Sequence, residues 1–215
     1  MKQKLWLLPA ALWAAFVLFT LLLTCVDAQS IGPQGTAVGF ATGNGEVCQL
    51  LGVHLLWYHI TDWLGVAAIA IAFGFAVVGL YQWVKRKSLR KVDRHILVLG
   101  GFYLLVIACY LFFEKMVINY RPILMDGNLE ESYPSSHTMI VVSIMATASM
   151  AFRALCPKKK GWCLAVDIFA AVMIAVTVMG RLIAGVHWLT DIVGGLLLSA
   201  ALVATYWVVC WGKKR

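Results

Sequence analysis

The chain has 215 residues, 62% of them hydrophobic and 13% charged, with a mean hydropathy of +0.85. Soluble domains are roughly 45 to 50% apolar and about 25% charged, so an ordinary soluble globule is excluded; at about 20 apolar residues per bilayer crossing, the length suits one polytopic membrane domain over 1–215. The net charge of +8 would suit nucleic acid only if basic residues shared a surface with stacking aromatics, and their distribution along the chain contradicts that.

The first uncharged run, Leu5 to Val26, is 22 residues long, longer than the usual 7 to 15 residues of a signal-peptide core, and reads as a retained helix. An external segment from Asp27 to Asp62 follows. Gly32, Gly35, Gly39, Gly43 and Gly45 make its first part a flexible loop, whereas Leu51, Leu55 and Leu56 with Trp57 and Tyr58 predict a short interfacial helix between Cys48 and Thr61. The second and third spans are Trp63 to Val84 and Ile96 to Phe113. A fourth, Thr138 to Leu155, carries Arg153 near one end, where a long side chain can snorkel. A fifth, Gly161 to Gly180, contains Asp167, which reads as a structural hydrogen-bonding group within the bundle. Ile192 to Gly212 is the sixth. The runs are apolar on every face and lack the alternation of a membrane β-barrel, so the fold is all-α, a six-helix bundle.

Cytoplasmic loops retain Lys and Arg. With the N-terminus inside, 15 of the 18 basic residues are cytoplasmic, including the Lys85–Arg94 cluster, Lys158 to Lys160, and Lys213, Lys214 and Arg215. Topology and anionic lipid account for these clusters, placing the chain as a multi-pass protein of the plasma (inner) membrane with both termini cytoplasmic. Only Lys115, Arg121 and Arg181 remain outside. Of the six cysteines, Cys25 and Cys48 lie near the outer face, where a disulfide is permitted. His54, His59 and His95 read as interfacial, and Glu114, Asp126, Glu130 and Glu131 as a solvated loop face.

The chemistry concentrates in two external segments, 114–137 and 181–191. The first reads Glu114-Lys115 through Arg121-Pro122 to Tyr133-Pro134-Ser135-Ser136-His137; the second reads Gly180-Arg181 through His187 to Asp191. Ionisable residues at this depth are functional candidates. His187 and Asp191, four apart, would face the same way on a helix, and a carboxylate on one imidazole nitrogen fixes the tautomer and activates the other. Arg121 and Arg181 supply planar donor forks for phosphate oxygens. Backbone N–H groups around Ser135, Ser136 and His137 would open a helix suited to an anion. Together these groups describe a phosphoryl-transfer site.

Arg121-Pro122, Pro134-Ser135-Ser136-His137 and Arg181-x5-His187-x3-Asp191 resemble, in order, the three motifs of the type 2 phosphatidic acid phosphatase (PAP2) superfamily. Three positions depart from its pattern. Glu114 stands where the family usually has Lys, and Lys115 is one residue later, turned by about 100° on a helix. Ser136 replaces a usual Gly, and Gly180 a usual Ser. The resemblance implies that His187 attacks phosphorus to form a phosphohistidine, that Asp191 orients it, and that His137 protonates the leaving oxygen and then activates water. It implies further that Arg121, Arg181, Ser135, Ser136 and, less directly, Lys115 hold the phosphoryl oxygens.

No cofactor or metal is implied, since the arginines do electrostatically what a divalent cation does elsewhere. The expected partners are membrane lipids and an outer-leaflet lipid phosphate, whether undecaprenyl diphosphate or a glycerolipid phosphate such as phosphatidic acid or phosphatidylglycerophosphate. A metal site at His137, His187 and Asp191 would set a cation beside two arginines. A serine hydrolase lacks its nucleophile elbow. The remaining alternatives are a lipid phosphotransferase using the same intermediate and a non-catalytic lipid-binding or transport protein.

Overall fold

The computed structural model describes residues 2–212; Met1 and the basic Lys213, Lys214 and Arg215 of the charge count lie outside them. Its helices are α1 (Lys2–Leu5), α2 (Leu7–Leu23), α3 (Ala41–Leu51), α4 (Leu55–Arg86), α5 (Arg94–Lys115), α6 (Ser136–Leu155), α7 (Lys160–Ala184) and α8 (Leu189–Trp211). Among the described residues, α4 to α8 are long and apolar enough to cross a membrane. With 17 residues, α2 sits at the short end of the spanning range. The fold is all-α, with the six expected segments each present as a helix.

The central helices are α6 and α8, half of whose apolar stretch is buried, against about a tenth for α4. One core joins Phe16 of α2, Leu99 and Phe102 of α5, Met139 of α6 and Leu198, Leu202 and Tyr206 of α8. A second joins Ala68 of α4, Val141, Ile144 and Met145 of α6, and Ala170 and Met173 of α7. Outward positions stay apolar: Trp63, Phe73 and Leu104 are exposed, as lipid-facing residues of a bundle must be. Asp167 pairs with Arg153 and accepts the Ser149 hydroxyl, tying α7 to α6 near their basic ends.

Two expectations about the 27–62 segment need correction. The glycine-containing stretch 41–51 is helical despite Gly43 and Gly45. Asn44 anchors it, donating to Thr190 Oγ1 (2.9 Å) and accepting the Thr190 N–H (3.2 Å), so tertiary bonds override the low propensity of glycine. The predicted helix over Cys48–Thr61 does not exist as one element. Gly52, at φ 67°, breaks it, and the residues after it begin α4 instead, whose 32 residues extend the second span beyond its expected start at Trp63. Cys25 and Cys48, for which a disulfide is permitted, are free thiols, as are the other four cysteines. Of the histidines, His54 stands at the N-cap position of α4 with its ring Nε2 2.9 Å from Leu51 O at the end of α3, His59 is exposed, and His95 packs at a tilt on Trp211 with ring centroids 4.9 Å apart.

Candidate active site

The direction of each helix brings the polar residues to one end of the bundle. Asp62 lies near the start of α4, Glu114 near the end of α5, His137 at the start of α6, Arg181 near the end of α7 and Asp191 at the start of α8.

The segment between α5 and α6 folds back on itself. Arg121 N–H donates to Glu130 O (3.0 Å), Ser132 N–H donates to Asn119 O (3.0 Å), and Tyr120 and Glu131 form an antiparallel bridge. This hairpin sets Glu130 3.1 Å from Arg121 Nε. Tyr133 closes the segment: its ring is buried against Phe16, and its hydroxyl lies 2.7 Å from Thr20 Oγ1 of α2. Glu114, Glu130 and Glu131 are therefore not simply a solvated loop face, because all three line a cavity of about 340 Å³ together with Arg121, Ser136, His137 and His187. The hairpin turns the acidic residues inward.

His187 does not ride on a helix with Asp191, as the spacing had implied. It lies in the turn after α7, whose end is marked by Gly185 at φ 69°; a Cβ there would stand 2.1 Å from Gly52 O, so only glycine fits the crossing. Asp191 occupies the third position of α8, and its Oδ2 reaches back to accept the Trp188 N–H (2.9 Å), half of a capping box. Asn119 donates to Oδ1 (3.4 Å). His187 Nδ1 stands 3.6 Å from Oδ2, too long for a hydrogen bond and close enough for electrostatic orientation. The pairing arises from helix capping rather than from a shared helical face. His187 Nε2 is buried without a hydrogen-bond partner.

Burial is the largest influence on His187 and disfavours its protonation; the positive fields of Arg121 and Arg181 act the same way, against a smaller opposing contribution from the Ser132 backbone. Its pKa is held well below the ordinary 6.5. The imidazole is neutral at physiological pH, with a free nitrogen among cations.

Arg181 is fully buried, its guanidinium 4.9 Å over the Tyr58 ring and paired to Asp62; Nε and Nη1 have no protein partner. Asp62 also contacts His137, whose Nε2 lies 3.1 Å from Oδ1. Sequence reasoning missed Asp62 and Asn119. The signal for Asp62 was its place directly ahead of an uncharged run; Asn119 offered none before the hairpin was known. Ser135 is buried with an unpartnered hydroxyl, but its backbone N–H donates to Asp191 O (3.0 Å) and so is spent on joining α6 to α8 rather than held for an anion. Lys115 ends α5 exposed to its surroundings and outside the cavity wall; with Glu114 on that wall, it is not brought to the site.

The polar cavity adjoins an apolar groove of about 550 Å³ between α4, α5 and α6, lined by Ile69, Val106, Leu111 and Ile144 among others. Tyr110, Ser136 and His137 line both. No group of three or more His, Cys, Asp or Glu among the described residues could hold a metal ion.

A family model described as the PAP2 superfamily matches residues 67–215, more than half of the chain. The chain belongs to the PAP2 superfamily. A crystal structure described as the first transmembrane PAP2 type phosphatidylglycerolphosphate phosphatase from Bacillus subtilis superposes with a TM-score of 0.60 at 17% identity, covering 96% of each chain; at that identity the likeness concerns the fold. Comparison with curated protein sequences gives no significant match. As a member of this superfamily and a multi-pass helical membrane protein, the chain is a phosphatase acting at a membrane.

Proposed function

We propose that the protein hydrolyses lipid phosphate monoesters through a phosphohistidine at the extracytoplasmic face of the plasma membrane. The observation that carries this is the shared wall of the two cavities: a phosphate held beside Arg121 and His187 would leave its lipid chain the groove past Tyr110, Ser136 and His137. His187 Nε2 is the nucleophile, and Asp191 stabilises the imidazolium that forms. His137 gives its proton to the leaving oxygen and then takes one from water. Arg121, the free edge of Arg181 and the hydroxyls of Ser135 and Ser136 hold the phosphoryl oxygens, doing the work of a cation.

A monoester suits the cavity better than a diphosphate. Glu114, Glu130 and Glu131 stand on its wall, and a second phosphate would meet carboxylates where a glycerol headgroup would meet hydrogen-bond acceptors. Phosphatidic acid, which carries a single phosphate, and phosphatidylglycerophosphate, whose second phosphate lies beyond a glycerol, are therefore preferred over undecaprenyl diphosphate. The deciding measurement is phosphate release by the purified protein from a panel of these lipids in excess EDTA, with trapping of an acid-labile phosphoenzyme. The expected result is turnover of the monoesters, unaffected by chelation, and a phosphoenzyme absent from His187→Ala. A phosphoenzyme that releases nothing until a lipid acceptor is added would assign the chain to phosphotransfer; restoration by Mg²⁺ after chelation would defeat the arginine-only site.

A further inference from the structure

Asp62 precedes the residues that the family model covers, yet it lies at the centre of the polar cluster. Its Oδ1 lies 3.1 Å from His137 Nε2 and pairs with the Arg181 guanidinium, while His137 Nδ1 is buried without a partner. Two glycines make the arrangement possible. A Cβ on Gly65, three residues along α4 from Asp62 and so on its face, would stand 2.9 Å from His137 Cδ2 and 3.4 Å from its Nε2; that edge of the imidazole lies against the helix that carries its carboxylate. A Cβ on Gly180 would stand 2.6 Å from Thr61 Cγ2, which explains glycine beside Arg181: α4 and α7 touch there, and the touch delivers Asp62 to Arg181.

We propose that Asp62 is the positioning carboxylate of the acid–base histidine, so that the site holds two histidine–carboxylate pairs, His187 with Asp191 for attack and His137 with Asp62 for proton transfer. This rests on the phosphatase reading above. Asp62 accepts the Nε2–H of His137 and leaves Nδ1 as the nitrogen that exchanges a proton. In the first step the His187 Nε2 lone pair forms the P–N bond and the P–O bond to the alkyl group breaks. The departing oxygen takes the proton from His137 Nδ1, which returns to neutral with Nε2–H still on Asp62. In the second, Nδ1 takes a proton from water as its oxygen attacks phosphorus, the P–N bond breaks, and inorganic phosphate leaves with both histidines restored. The charged and titratable groups acting on His137 are Asp62 from α4, Arg181 from α7, Arg121 from the hairpin and His187 from the α7–α8 turn; Asp62 alone is anionic. It is the group that can stabilise the imidazolium against the two repelling arginines.

The experiment compares leaving groups in single-turnover phosphorylation of the full-length protein in detergent. Phosphatidic acid expels an alkoxide that needs a proton, whereas a nitrophenyl phosphate bearing one alkyl chain expels a phenolate that does not. Asp62→Asn should slow phosphatidic acid by about 10²- to 10⁴-fold, the usual range of general acid help, and the nitrophenyl ester by roughly tenfold or less. Gly65→Ala, which displaces the His137 ring and leaves the carboxylate in place, should give the same selective loss and serves if Asp62→Asn is not recovered folded; Asp62→Glu should regain part of the phosphatidic acid rate. Equal slowing of both substrates, or none, would overturn the proposal and reduce Asp62 to an anchor for Arg181. A wild-type protein that forms no phosphoenzyme from either substrate would overturn the phosphatase reading itself, a result distinct from a selective failure at Asp62.

Discussion

His187 illustrates how a single residue's environment fixes its chemistry and the protein's response to acid. An unfolded chain takes a proton on a histidine near the ordinary 6.5, while the folded protein keeps His187 neutral well below that value. Between the two values the unfolded state binds more protons, so stability rises with pH there and is lost as pH falls through 6.5. Thermal unfolding in detergent should show a lower melting temperature at about pH 5 than at about pH 7.5, and the difference should shrink in His187→Asn. A pH dependence unchanged by that substitution would show the histidine to be ordinary. The motif histidines, arginines and Asp191 were all legible in the sequence because their spacing is local. Asp62, Asn119 and Glu130 were not, because each acquires its role from a partner far along the chain. Gly180 belongs with them: the sequence marks it only as a departure from a family pattern, and its reason, the methyl of Thr61 and the ring of Trp57 within 3.0 Å of a hypothetical Cβ, exists only once α4 lies on α7. Gly180→Ser should destabilise the protein by about 1–3 kcal/mol, the usual cost of overpacking, and raise KM through a displaced Arg181. Full stability in that variant would show that α4 does not press on α7.

At the scale of elements, the hydrophobic runs fixed where helices exist and left their ends open. The second run starts only after the charge of Asp62, whereas α4 begins at Leu55 and continues through His59 and Asp62, because a polar turn at the membrane surface keeps its backbone bonds and gains packing against α7. The same reasoning explains the misread 41–51 segment, where buried Asn44 outweighs two glycines. Helices that meet the site at one end need a clasp, and Tyr133 supplies one: its hydroxyl at 2.7 Å from Thr20 joins α2 to the residues directly ahead of α6. Thr20 also donates to Phe16 O (2.9 Å), so Tyr133 is the donor between the two. Tyr133→Phe and Thr20→Val should each cost about 0.5–1.5 kcal/mol. Their double mutant should cost less than the sum, with a coupling of about 1 kcal/mol by chemical denaturation in mixed micelles. Strict additivity would mean that the two hydroxyls do not hold α2 to the loop.

For the whole molecule, charge is segregated along the bundle. Lys85, Arg86, Arg94, Arg153 and Lys160 cap helix ends opposite to Asp62, His137, Arg181 and His187. A chain inserts with its Lys- and Arg-rich loops retained in the cytoplasm, and anionic lipid on that leaflet adds about 1 kcal/mol per basic residue near the surface. Both predict that the cavity and its mouth lie outside, on the leaflet that would then supply the lipid phosphate. The test uses single cysteines in a background lacking the native six, placed at positions exposed in the structure: Asn128 in the hairpin at the site end, and Lys87 and Lys159 at the basic end. Intact cells treated with a membrane-impermeant thiol reagent should label Asn128→Cys and spare Lys87→Cys and Lys159→Cys until the membrane is permeabilised. The reverse pattern would turn the protein over and with it the substrate leaflet. His187 would then face cytoplasmic lipid phosphates, and the basic ends, held outside against the charge rule, would need another explanation.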